Sequence, residues 1–165
     1  MRYCKNRKGY IRNNNDIYIH YNSSSYDKDR LIRGLNNPAY RIRHDKPHGL
    51  WASPINSSLS WKIWCENEEF NLESLNDSFR FKLDKNAKVL MINYLDSVKD
   101  YLIELDDGFY SINYKLDLDK IYAEYDAMQV NFNRDFVRLH NNNIFYTWDC
   151  DSICVWNPDI IKPIK

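Results

Sequence analysis

Ser78–Leu83 (SFRFKL) alternates apolar and polar side chains without a break. That is the period-two pattern of a strand buried on one face. A strand cannot stand alone, because its backbone donors and acceptors need partners. Five further runs can supply them: Ile17–Tyr21, Leu50–Ala52, Ala87–Ile92, Tyr125–Val130 and Cys150–Trp156, the last read as the final strand. Ala87–Ile92 is nearly all apolar, as an inner strand is. Helical stretches are fewer. Trp61 and Trp64 are three apart and share a helical face running to Cys65, with Ser57 or Ser58 as its cap. Asp96–Leu105 and Leu116–Tyr122 also read as helices, Asp27–Leu35 as a short helix or irregular segment, and 133–140 as neither type clearly. Because helices do not alternate regularly with strands, the fold class is α+β on antiparallel pairs, not a doubly wound parallel sheet. A chain of 165 residues is expected to form one domain, 1–165.

Composition limits the partners. Basic and acidic residues balance at 23 each, which argues against a large electrostatic footprint for nucleic acid. No apolar run is long enough to span a bilayer and the N-terminus has no signal-peptide core, so a cytoplasmic protein without a membrane partner is expected. The four cysteines, Cys4, Cys65, Cys150 and Cys154, form no C-x-x-C pair and no zinc spacing with histidine. Buried, reduced thiols are the expectation, with Cys150 and Cys154 on one face of a strand. The runs Asn13–Asn15 and Asn141–Asn143 read as turns.

The densest chemistry lies in His48–Pro54 (HGLWASP) and the indoles that follow. Trp51, Trp61 and Trp64 are three of the five tryptophans. Large flat side chains beside a glycine, where backbone can be approached closely, suit the sandwiching of a flat ring. Taken alone, the segment reads first as a strand entering a core. Arg41, Arg43, His44, Lys46 and His48 precede it as a basic cluster. Such a cluster is either a solvated loop or a contact for phosphate oxygens. His44, His48 and Cys65 lack the spacing of a metal site, and Cys65 has no local signature of a nucleophile. Glu66, Glu68 and Glu69 read as a solvated helix face.

Four segments, in order, resemble the ADP-ribosyltransferase fold of diphtheria-type toxins and poly-ADP-ribose polymerases. Tyr18–Tyr21 (YIHY) resembles its first-strand histidine element. Gly49–Ser53 (GLWAS) resembles the second, in which an aromatic follows a glycine and a small residue closes the strand. Tyr125–Val130 (YDAMQV) resembles a recurrent Tyr-Asp-Gly strand, and Asp151–Ile160 (DSICVWNPDI) resembles the closing strand. The resemblance implies split antiparallel sheets with flanking helices around an NAD cleft. It implies that His20 bonds the adenosine-side ribose. It also implies that Trp51, with Trp61 or Trp64, flanks nicotinamide, and that Tyr21, Gly49 and Leu50 join the NAD-binding set. Ser53 matches a serine that steadies the catalytic acid.

One position departs from the pattern. Transferring members carry a Glu at the start of the closing strand, and Ser152 stands there in this chain. Asp151 is one residue off and Asp149 three. A one-residue step on a strand reverses the face, although a bulge can restore it. Asp151 is therefore the first candidate for the acid and Asp149 the second. The resemblance thus implies a small NAD-dependent mono-ADP-ribosyltransferase acting on a protein, nucleic acid or small molecule. Bare domains of this kind act in conflict between bacteria, phages and mobile elements, as toxins or counter-defence proteins. Two other outcomes stay open: a catalytically inactive nucleotide- or protein-binding inhibitor, and an NAD glycohydrolase.

Overall fold

Phe79, Phe81 and Leu83 are buried while Ser78 and Arg80 are exposed, so the alternation in Ser78–Leu83 becomes one face of a strand. The computed structural model describes residues 13, 15–37, 46–105, 113–132, 139 and 144–164. Among these residues nine strands form: β1 (Tyr18–Tyr21), β2 (Leu50–Pro54), β3 (Ser78–Leu83), β4 (Val89–Ile92), β5 (Leu102–Leu105), β6 (Asn113–Leu116), β7 (Ala127–Val130), β8 (Ser152–Val155) and β9 (Ile161–Ile164). Seven make one sheet in the order β4-β7-β8-β2-β1-β3-β9, and β5 pairs with β6 apart from it. Among the described strands only β4 and β7 pair in parallel, and the other pairs are antiparallel. The fold is a mixed α+β architecture.

Two cores cover the sheet. One gathers Leu90, Ile92, Val98, Ile121, Met128, Val130, Phe132, Phe145 and Trp148. The other gathers Tyr18, Phe79, Phe81, Leu83, Ile153, Val155 and Ile161. All four residues of β7 are buried, and its one polar side chain, Gln129, accepts from the Tyr18 hydroxyl at 2.8 Å. Burying such side chains contributes roughly 1.5–3 kcal/mol each.

Helix ends follow local chemistry. Helix α1 (Lys28–Leu35) starts where the Asp27 carboxylate accepts from the Arg30 amide. Helix α3 (Leu118–Glu124) starts where Asp117 accepts from Lys120. Helix α2 (Trp61–Asn67) differs from the expectation. Neither Ser57 nor Ser58 caps it, and Ser60 at its N-terminal boundary makes no side-chain cap bond. Its first amide donates to Ser53 Oγ, at the end of β2, over 2.9 Å.

Four further expectations are corrected. Asp96–Leu105 is not one helix: Leu95–Tyr101 is a 3₁₀ helix, and Leu102–Leu105 is β5. Leu95, Val98 and Tyr101 all face the first core, and a spacing of three suits the 3₁₀ period. The helix expected from Leu116 starts two residues later, because Leu116 ends β6 and Asp117 caps. The Cys150–Trp156 strand is confined to Ser152–Val155 and is not the last, and Cys150 lies outside it. Strand β9 was hidden by Pro163, which a sheet tolerates here because β9 is an edge strand. Segment 133–140 and the Asn141–Asn143 turn lie almost entirely outside the described residues, as do Asn14 and Cys4.

Gly49 is required by packing. A Cβ built there would stand 2.3 Å from the Val155 carbonyl oxygen and 2.9 Å from Cys154 Sγ. Gly49→Ala should therefore cost about 1–3 kcal/mol, read as a lower urea midpoint. An unchanged midpoint would show that β8 gives way at no cost.

Candidate functional site

Strands β1 and β2 pair only through Tyr18 with Pro54 and Ile19 with Ser53. Beyond that point they part, and the His20 ring spans the gap, its Nδ1 lying 2.6 Å from the Trp51 carbonyl oxygen. A carbonyl only accepts, so Nδ1 carries the hydrogen and Nε2 of the neutral ring is an acceptor. Burial lowers the His20 pKa, the Trp51 carbonyl opposes that effect, and Arg30 lowers it further. His20 is thus a neutral acceptor at neutral pH.

The fork opens two adjoining cavities. The larger, about 810 Å³, lies between α1 and the 46–51 segment and is lined by Tyr26, Arg30, Leu31, His48, Gly49, Leu50 and Phe79 among others. The smaller, about 300 Å³, is lined by Tyr21, Ser53, Trp61, Trp148, Asp149, Cys150 and Ser152 among others. His20, Lys46 and Trp51 line both. These volumes fall in the range of small-molecule sites. The 46–49 segment is pinned from two sides: the His48 amide donates to the Tyr122 hydroxyl, and Cys154 Sγ donates to the Pro47 carbonyl.

Most of the residues singled out in the sequence meet here. His20, Tyr21, Trp51, Ser53, Trp61 and Asp149 share the smaller cavity, and Gly49 and Leu50 the larger. The two indoles differ in position. Trp61 lines the cavity, while Trp64 lines neither and stacks on Trp61 at 5.0 Å and 21°. Ser53 is buried, accepts from Trp61 N and faces the Cys150 sulfur, so it organises the wall. Arg41, Arg43 and His44 lie outside the described residues.

Asp151 does not join the cleft, and its candidacy is corrected. Its buried carboxylate accepts from the Phe132 amide and the Ser57 hydroxyl, each at 2.6 Å. It lines a separate polar cavity with Asn93, Gln129 and Asn131. The strand alternation holds at this point: Ser152 faces the smaller cavity and Asp151 faces away. Asp149 is the carboxylate on the cavity wall.

Two residues enter that the motifs did not mark. Trp148 meets Trp51 edge-on at 4.7 Å and 60°. Lys46 places its ammonium 5.6 Å from the Trp51 ring centre and 6.0 Å from that of Trp148. Burial lowers the Lys46 pKa and Asp149 opposes the shift. The only advance signal for Trp148 was the scarcity of tryptophan. The indole Nε1 of Trp148 is buried with no hydrogen-bond partner among the described residues.

Cysteine chemistry is weak here. Burial pushes Cys150 up to about 11 against the pull of the Ser152 and Ser53 hydroxyls. Burial also raises Cys65 and Cys154. Buried thiols of this kind are poor nucleophiles at neutral pH. Among the described residues no group of three or more His, Cys, Asp or Glu side chains is arranged for a metal, and no helix is long and apolar enough to cross a membrane.

No family model matches this chain, and neither the curated proteins nor the solved structures contain a match.

The His20 shift carries a stability consequence. A histidine lowered on folding binds more protons when unfolded, so its contribution is present above pH ~6.5 and is lost as pH falls through the folded value. Unfolding free energy should drop between about pH 7 and pH 5, and His20→Gln should flatten that slope. An identical slope in the variant would assign the acid sensitivity elsewhere.

Proposed function

We propose that this protein binds NAD across the two cavities and transfers its ADP-ribose to an acceptor. The observation that carries this reading is the convergence of His20, Tyr21, Trp51, Ser53, Trp61 and Asp149, scattered along the chain, on one small cavity. In this reading the larger cavity takes the adenosine half. Phe79 and Leu31 offer apolar surface there, and Arg30 and Lys46 offer positive charge for the pyrophosphate. The neutral Nε2 of His20 accepts from a ribose hydroxyl.

Nicotinamide enters the smaller cavity against Trp51 and Trp61. While attached to ribose its ring is cationic, and indole faces attract cations by about 0.5–2 kcal/mol. The Lys46 ammonium already rests over Trp51 and Trp148, so the pyridinium replaces it on Trp51. In the reaction the C1′–nicotinamide bond breaks with its electron pair leaving on nicotinamide. Positive charge builds on the ribose, and the acceptor bonds to C1′ as its proton is released. A fixed carboxylate beside that charge lowers the barrier, and in this reading Asp149, on the wall of the smaller cavity, supplies it.

A second reading is favoured by Ser152 standing where transferring relatives of the fold carry Glu: an NAD-binding protein without turnover. A glycohydrolase would differ from the transferase only in using water. The buried free thiols of Cys65, Cys150 and Cys154 support a reducing, cytoplasmic setting. A role in conflict between bacteria and phages rests on the resemblance alone.

Titration with NAD and assay of released nicotinamide test the proposal. Trp51→Ala should weaken NAD binding roughly tenfold. Asp149→Asn should slow release by about 10²–10³ with binding nearly unchanged. Asp151→Asn should keep the release rate of folded protein and lose about 1–3 kcal/mol of stability instead. NAD that binds without release points to the second reading, and release without a labelled product points to the hydrolase. Absence of NAD binding at millimolar concentration sinks all three.

A further inference from the structure

The smaller cavity opens beside a surface with a distinct chemistry. Trp61, on the cavity wall, stacks on Trp64, and Phe70 packs edge-on against both at 6.2 and 5.4 Å. Phe70 is 50% exposed and Leu72 46%. Glu69 and Asn71, on either side of Phe70, both have left-handed backbone, with φ of 50° and 48°. Glu69 follows the end of α2, where glycine is the usual residue, and the Phe70 amide closes the helix by donating to Cys65 O. That turn explains why Phe70 meets Trp64. It does not explain why the surrounding residues are acidic.

Glu66, Glu68, Glu69 and Glu73 are all exposed around this aromatic face. Lys62 is the one basic residue between Trp61 and Asp77, and its ammonium lies 3.7 Å from Glu66. The chain as a whole is balanced, so the acidic excess is local. It also reaches the cavity. Tyr21, on the cavity wall, has its pKa raised by burial first and then by Glu66, with Arg80 opposing.

We propose that the aromatic face of Trp64, Phe70 and Leu72, rimmed by Glu66, Glu68, Glu69 and Glu73, docks a basic polypeptide segment and thereby makes the acceptor a protein. Its delivery to the reacting carbon rests on the NAD reading above; the docking does not. Arginine and lysine pair with the carboxylates, and their stems and the arginine plane lie on exposed rings. A nucleic acid meets the wrong sign of charge. Continuity through Trp61 and Tyr21 places the docked segment at the mouth of the cavity that would hold the nicotinamide ribose.

The test is fluorescence anisotropy with fluorescein-labelled nona-arginine, nona-glutamate and oligo-dT, run beside the nicotinamide-release assay. Nona-arginine should bind the wild-type protein and weaken as salt rises from about 0.05 to about 0.3 M. The double variant Glu68→Lys/Glu73→Lys should weaken it at least tenfold or so, and Phe70→Ser should weaken it several-fold. Both variants alter exposed side chains, and both should release nicotinamide like wild type. Nona-glutamate and oligo-dT should not bind. Nona-arginine affinity that is absent, or equal in wild type and both variants, overturns the docking surface, as does comparable binding of oligo-dT. Intact nona-arginine binding without any NAD binding or turnover leaves the surface standing and removes the NAD reading.

Discussion

Every cavity wall described above depends on a strand pair that stops pairing. Strands β1 and β2 share two residue pairs and then diverge, and at the fork a side chain takes over from the backbone. A buried carbonyl left without a donor costs about 1–3 kcal/mol. His20 removes that cost for Trp51 O. The same bond fixes the tautomer, turns Nε2 toward ligand chemistry, and orients the strand that carries Trp51. Continued pairing of β1 with β2 would close the space that both cavities occupy. One imidazole therefore closes the fork and lines both cavities.

A second constraint acts at the start of β8. Asp149, Asp151 and Ser152 lie within four positions, yet they face different environments. Strand alternation sends Ser152 to the smaller cavity and Asp151 to the other side. There Asp151 ties the Ser57 hydroxyl and the Phe132 amide together. The carboxylate in the cleft comes instead from the residue that follows Trp148. Ser53 completes this region by accepting from the first amide of α2, which holds Trp61 at the cavity wall. A hydroxyl at the end of β2 thus positions an indole eight residues later.

The legible parts were those in which a local pattern matched a local cause. Period-two alternation placed β3, a nearly continuous apolar run placed β4, the strand read over Tyr125–Val130 contains β7, and the histidine and tryptophan elements marked the two strands that fork. Position along a helix left Trp61 and Trp64 undecided, because both share a face and only tertiary packing orders them. Strand β9 carries a proline, which reads as a breaker until its place at a sheet edge is known. The spacing of Leu95, Val98 and Tyr101 suits α and 3₁₀ helices alike, and β5 emerges only by pairing with β6. Asp151 was preferred over Asp149 by proximity along the chain, whereas the cavity selects by face. Lys46 was visible as one charge in a basic cluster, but its seat over two indoles is a property of the folded state.

The zero net charge conceals a division of fields. Arg30, Lys46 and His48 line the larger cavity, against one carboxylate, Asp27, whose oxygen also caps α1. The outer face beyond Trp61 carries exposed glutamates with one lysine among them. Charges of both signs, separated by only the width of a cavity, screen each other at long range, since the Debye length at physiological salt is about 8 Å. What remains is short-range and directional: positive charge along the larger cavity and carboxylates on the face beyond Trp61, a division that overall charge neutrality alone would never indicate.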